Sequence, residues 1–210
     1  IGVPFSNKSF KTVKTILNNR TDIDVFYWID GLGVEWIPFI SHLISQEQGM
    51  YLNEVHIARS MFPTTTSVNK PILEDLSIEK IKKIGDIDAH AHSHSNKYPT
   101  YIIEEFQLIK ESILKIINEY SGKKIAIVSD HGLTAMSQYC DGLNLVGFKS
   151  DHGGRTAAKE SGKPVNDENY IICDDDKTIC ALKHSSLCAK IPTGQSAHGG
   201  CTPEEILVPI

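Results

Sequence analysis

The sequence predicts an α/β fold, a sheet with helices on both faces, on three observations. Two short apolar runs, Val25–Ile29 and residues 124–129, read as strands buried on both sides. Residues 100–120 carry the clearest helical stripe in the chain. Strand-like and helix-like stretches alternate, the order expected when helices connect the strands of one sheet.

The elements follow in order. Residues 9–19 are short and amphipathic, and read as a helix. Val25–Ile29 is a nearly continuous apolar strand ending at Asp30-Gly31. Val34, Ile37, Ile40 and Ile44 repeat at helical spacing over residues 34–46. Residues 51–58 alternate as a strand does, and a short helix follows Thr66. Residues 79–84 look helical. In the 100–120 helix, Ile103, Phe106, Ile109, Ile113 and Ile116 form the apolar stripe and charged residues fill the other face. Residues 124–129 form the second buried strand. Residues 141–168, rich in Gly, Lys, Asp and Ser, read as a long loop. A hairpin is expected about Asp174-Asp175-Asp176, with strands near 169–173 and 178–183. Residues 205–210 look like a last strand.

A chain of 210 residues fits one domain spanning 1–210 with a sizeable core. It opens on Ile1, not Met, and reads as excised from a longer protein, so the lack of a leader says nothing. No apolar run approaches the roughly 18 residues of a membrane span, so no membrane partner is expected. The net charge of −5 speaks against a non-specific duplex-DNA coat. It leaves room for a nucleotide or oligonucleotide substrate, because metal ions can supply local positive charge. Five widely spaced Cys without a C-x-x-C pair read as reduced thiols, which implies the cytoplasm.

The chemistry-bearing residues fall in five clusters. Asp30-Gly31 follows the first buried strand, and Ser129-Asp130-His131-Gly132 ends the second. Ligands of α/β sheets gather at such carboxyl ends. Gly132 allows the turn that would bring both Asp130 and His131 to one ion. Phe62-Pro63 precedes Thr64-Thr65-Thr66, then Ser67-Val68-Asn69. A threonine hydroxyl is a weak nucleophile at neutral pH unless a cation stabilises its alkoxide. Asp86-Ile-Asp88-Ala-His90-Ala-His92 is dense in metal-ligating types. His198-Gly199-Gly200 lies near the end, and His152-Gly153-Gly154-Arg155 is a second His-Gly-Gly that rivals it. Glycines after His198 leave room for a substrate or an ion. Together these residues can hold two divalent cations with a hydroxyl between them, the equipment of a two-metal phosphoryl-transfer enzyme.

Asp-Gly after a strand, Pro-Thr-x-Thr, Asp-x-x-x-His, Ser-Asp-His-Gly, and His-Gly-Gly before Glu-Glu…Val-Pro occur here in the order found in the alkaline phosphatase superfamily. Over residues 25–210 the chain resembles most closely the PglZ domain of that superfamily. The resemblance implies an alkaline-phosphatase-like three-layer sandwich, a central, mostly parallel sheet with helices on both faces. It implies two divalent metal ions, zinc, with manganese as the alternative. One would be held by Asp30, Asp130 and His131, with Thr66 bound to it as nucleophile. The other would be held by Asp88, His92 and His198. Asp86 with His90 is the alternative placement of the Asp-x-x-x-His motif, and Thr64 or Thr65 takes the place of Thr66 if the register slips. Asn69 would contact phosphate, and Arg155 is a further phosphate candidate.

The implied function is phosphodiester or phosphomonoester hydrolysis on nucleotides or oligonucleotides through a phosphothreonine. The setting would be a larger bacterial protein of a phage-defence (BREX-type) or signalling system, with other domains or subunits as partners. Sulfatase chemistry needs a Cys or Ser where this chain has Thr66. A non-catalytic regulatory domain that binds a metal or nucleotide is the rival reading.

Overall fold

The computed structural model describes residues 10–18, 20–76, 81–93, 99–192 and 194–210, without the side chains of residues 81, 82, 84–86 and 93. Strand β1 (Val25–Asp30) is buried along its whole length. It lies between β3 (Ile81–Asp86) and β4 (Ile125–Val128), parallel to both. Successive β1 side chains point to opposite faces, so a strand covered on both sides must be apolar throughout. Val25, Tyr27 and Ile29 pack with α2 (Ile37–Gln46) and α5 (Thr100–Glu119) through Ile40, Leu43, Ile44, Ile109, Ile113 and Ile116. Phe26 and Trp28 pack on the other side with α1 (Val13–Leu17) and α3 (Thr66–Glu74) through Val13, Leu17 and Leu73. Each such side chain, fully buried, contributes roughly 1.5–3 kcal/mol of transfer free energy.

The remaining strands are antiparallel. β2 (Ile57–Arg59) pairs with β9 (Leu207–Pro209), and a four-stranded sheet runs β5-β6-β8-β7. Its strands are β5 (Phe148–Asp151), β6 (Thr156–Lys159), β7 (Tyr170–Ile172) and β8 (Thr178–Ala181), with a small core of Ala157, Tyr170, Ile179, Ala181 and Leu187. The expected alkaline-phosphatase-like three-layer sandwich about a large, mostly parallel sheet is therefore overturned. The fold is mixed α/β, and among the described residues the parallel sheet is three strands wide. The physical reason lies in the connections. Residues 152–155 join β5 to β6 and residues 173–177 join β7 to β8, far short of the dozen or so residues that a parallel crossover needs.

Three local expectations change as well. Residues 81–86 are a strand, not a helix, and form the edge of the parallel sheet, where lysines are tolerated. Of residues 51–58, only Ile57 and Ala58 belong to a strand. The stretch at 141–168 holds β5 and β6 rather than a featureless loop. At the end, a short helix α6 (Pro203–Ile206) precedes β9. Among the described residues no helix is long and apolar enough to cross a membrane.

Candidate metal centre

Parallel pairing places the ends of β1 and β4 side by side. Trp28 is in register with Val128, so Asp30 and Asp130 emerge at the same carboxyl edge. Both carboxylates and His131 are buried. One ligand atom from each of Asp30, Asp130 and His131 lies within 4.8 Å of the others, a group suited to a metal ion. His131 Nε2 is 3.4 Å from Asp30 Oδ1 and 3.5 Å from Asp130 Oδ2. Asp130 Oδ2 is buried without a hydrogen-bond partner. A buried carboxylate oxygen left bare is costly, and a cation removes that cost. Burial and the neighbouring Asp30 charge push the Asp130 carboxyl up to about 7.

The Asp130-His131 turn is held from several sides. Ser60 Oγ donates to the Asp130 carbonyl at 2.6 Å, and Ser129 Oγ to the His131 carbonyl at 2.8 Å. His131 Nδ1 donates to the Gly132 carbonyl at 3.2 Å, which leaves Nε2 a lone pair. Burial, then the neighbouring His198, holds the His131 pKa well below its ordinary value, so the ring is neutral and can ligate. Gly132 is needed for space rather than for an unusual turn. A Cβ there would stand 2.0 Å from the Glu204 carbonyl oxygen.

Of the three threonines, Thr66 alone presents its hydroxyl to this group. Its Oγ1 is 3.3 Å from Asp30 Oδ1 and 3.0 Å from His131 Nε2. Thr65 stands at the N-cap position of α3, and its hydroxyl meets that of Ser67 at 3.0 Å. Thr64 Oγ1 donates to the Gly200 carbonyl at 2.8 Å and accepts from Gly199 N at 3.0 Å, which clips the His198 turn in place. Asn69 does not face the site as a phosphate contact. Its Oδ1 accepts from Met61 N, and its Nδ2 donates to the carbonyls of Met61, Pro63 and Thr65, so its amide braces the threonine loop.

The second group is Asp88, His131 and His198. Asp88 and His92 lie four residues apart on α4 (Ile87–Ser93) and so share a helix face. Asp88 Oδ1 is 3.1 Å from Nε2 of both His92 and His198. Burial alone would raise the Asp88 pKa, but contacts with His198 and His92 outweigh it and hold the carboxyl far below the carboxylate range. His198 Nδ1 donates to the Thr64 carbonyl at 3.0 Å. Its ring stacks on His131, centroids 4.0 Å apart, and this contact joins the two groups. The expected ligand His92 thus touches Asp88, while His131 completes the compact trio. Of the alternative pair, His90 meets Glu104 of α5 at 3.3 Å, and the Asp86 side chain lies outside the described residues.

Two residues change roles. His152 is not a rival to His198 but its neighbour, with ring centroids 4.6 Å apart and Nδ1 buried without a hydrogen bond. Arg155 is not a phosphate contact. It is fully buried and bound to Glu205, Nε to Oε1 at 2.9 Å and Nη2 to Oε2 at 2.8 Å. Gly200, after His198, makes room for that ion pair. A Cβ on Gly200 would meet Arg155 Nη2 at 2.6 Å and Glu205 Oε2 at 2.7 Å.

Sequence reasoning missed Lys83 and Trp28. Lys83 Nζ is 2.7 Å from Asp30 Oδ2, and Trp28 Nε1 donates to Asp130 Oδ1 at 3.1 Å. Trp28 sits two residues before Asp30 in an apolar run, where it reads only as core. Lys83 is hidden once residues 79–84 are taken as helical. No protein-family model matches this chain, and no curated protein matches it.

Proposed function

We propose that this chain is a metal-dependent phosphoric ester hydrolase, a phosphodiesterase acting on nucleotide or oligonucleotide esters, with Thr66 as nucleophile and two divalent cations. The observation that carries the proposal is the Thr66 hydroxyl, set against Asp30 Oδ1 and His131 Nε2 at the edge of two Asp/His groups that share His131. Asp30, Asp130 and His131 would hold one cation; Asp88, His92 and His198 would hold the other. When bound, such ions neutralise phosphoryl oxygens and lower the pKa of a coordinated hydroxyl. Zinc is the proposed metal, with manganese as the alternative, since Asp and His suit both.

The chain's own residues then act as follows. Asp30 and His131 aim Oγ1 of Thr66. Asn69, through the loop carbonyls, keeps Thr66 at the start of α3, and a helix start favours an incoming anion. Oγ1 gives up its proton to solvent and attacks phosphorus; the P–O bond to the leaving group breaks, the leaving oxygen takes a proton from water, and a phosphothreonine ester remains. Water then cleaves the Oγ1–P bond, restores the hydroxyl and releases a phosphomonoester. The order of motifs, similar to that of the PglZ domain, favours a diester and a place beside other domains or subunits in a phage-defence or signalling protein. Five free cysteines favour the reducing cytoplasm.

The test is hydrolysis of bis-p-nitrophenyl phosphate beside p-nitrophenyl phosphate, with added zinc or manganese and with chelator, in wild type and Thr66→Ala. Chelator-sensitive diester cleavage, lost in a variant that still takes up metal, is the expected result. Normal turnover by Thr66→Ala would refute the nucleophile. Full metal uptake without cleavage of either ester would favour the non-catalytic binding role.

A further inference from the structure

We propose that Lys83 and Trp28 fix the coordination number at the Asp30/Asp130/His131 position, so that it selects a four-coordinate cation of the zinc type over one that demands six ligands. The inference rests on the metal-centre reading above and adds the residues that decide which ion the centre takes.

A carboxylate can bind an ion through one oxygen or through both. Here each carboxylate has one oxygen already engaged. Asp30 Oδ2 accepts from Lys83 Nζ at 2.7 Å, and Asp130 Oδ1 accepts from Trp28 Nε1 at 3.1 Å. His131 is limited in the same way, with Nδ1 turned to the Gly132 carbonyl. Each of the three is left one donor atom: Oδ1 of Asp30, Oδ2 of Asp130 and Nε2 of His131. The Thr66 hydroxyl is the fourth. Four of the six separations among these atoms are 3.0 Å from Oγ1 to Nε2, 3.3 Å from Oγ1 to Asp30 Oδ1, 3.4 Å from Nε2 to Asp30 Oδ1 and 3.5 Å from Nε2 to Asp130 Oδ2.

These separations are compatible with a tetrahedral set, and the count of one free donor atom per side chain favours it. Four ligands arranged tetrahedrally at bonds of about 2.0–2.1 Å stand roughly 3.3–3.4 Å apart, which is the zinc arrangement. Octahedral ions want six oxygens, and this position supplies four atoms, one of them nitrogen. The two locks also support each other. Lys83 and Trp28 are partners across the β3–β1 ladder, and the ammonium lies 5.2 Å from the indole ring centroid. Partners of this kind, which orient ligands without touching the ion, change metal affinity about 10- to 100-fold when removed.

Cobalt serves as the probe, because its visible bands are strong when it is four-coordinate and weak when it is six-coordinate. The titration uses the full chain in an Asp88→Ala background, which leaves only the first position intact. Lys83 is 41% exposed, so its substitution does not open the core. With Lys83 present, strong bands are expected. In Lys83→Met, Asp30 is free to chelate through both oxygens. The bands should weaken several-fold, and competition should move from zinc toward manganese by about 10-fold or more. Lys83→Arg, which keeps a donor on Oδ2, should resemble wild type. Trp28→Phe provides a second variant, confirmed folded by circular dichroism, with the same weakening expected from Asp130. Unchanged bands and unchanged zinc preference in Lys83→Met and Trp28→Phe would overturn this inference while leaving the metal centre standing. Failure of the Lys83-containing chain to take up cobalt, zinc or manganese would overturn the metal centre itself.

Discussion

Replacing Arg155 with Met should cost about 3–5 kcal/mol of unfolding free energy, the range for breaking a buried ion pair from one side. The guanidinium is fully buried and makes three hydrogen bonds, two to Glu205 at 2.9 and 2.8 Å and one to the Ser185 carbonyl at 2.8 Å. Met fills most of the volume, so the loss is chiefly electrostatic. The Glu205 carboxylate would stay buried with only Gly200 N, Thr202 N and Thr202 Oγ1 as donors. The same carboxylate ties down the turn after His198, so loosening it should also weaken metal uptake at the Asp88/His198 group. The assay is urea unfolding followed by fluorescence and circular dichroism, with Glu205→Gln and the double variant completing the cycle. The double variant should recover part of the loss, because no bare charge remains. Since domains of this size hold only about 5–15 kcal/mol in total, the effect is large. A loss under about 1 kcal/mol, the size of ordinary surface changes, would refute the claim that this pair secures the His198 turn.

Further outcomes follow from the same geometry. Gly132→Ala should destabilise the fold and abolish uptake at the first metal position, because its methyl would press into the Glu204 carbonyl; a wild-type melting temperature would contradict this. The Glu105 carboxyl is pushed up to about 7, first by burial and then by Glu35. The folded state therefore binds this proton more tightly than the unfolded chain, and stability should fall as pH rises from about 4.5 to 7, then level off. Glu105→Gln should flatten that slope, by at most about 3 kcal/mol, and an identical pH profile in the variant would count against it. Zinc at 100 times its dissociation constant should raise unfolding free energy by about 2.7 kcal/mol per site, reversed by chelator. Calorimetric melting with no response to either would argue against any resident ion.

Much of the candidate site was legible because its chemistry sits at the ends of runs that can only be buried strands. Val25–Ile29 and Ile125–Val128 are apolar on both faces, and pairing them in parallel carries Asp30 and Asp130 to one edge whatever surrounds them. The four-residue spacing of Asp88 and His92 becomes a shared helix face only once α4 is formed. The antiparallel half was legible in part: the β7–β8 hairpin and the last strand were expected from the sequence, while β5 and β6 were not. β5 and β6 are four residues long and lie in a stretch rich in Gly, Lys, Asp and Ser, so their pattern is too short to rise above that of a loop.

The residue types, their order and the strand ends that carry them were set by the sequence alone, because local hydrophobic pattern decides which segments must be buried. The tertiary structure decided the rest. It singled out Thr66 among three threonines, gave Asn69 to the loop carbonyls and Arg155 to Glu205, and drew His152 against His198. It also set Lys83 and Trp28 behind the two carboxylates. Each of these depends on contacts between residues 4 to more than 100 positions apart, and a hydrogen bond is satisfied by proximity in space, which local hydrophobic pattern does not encode.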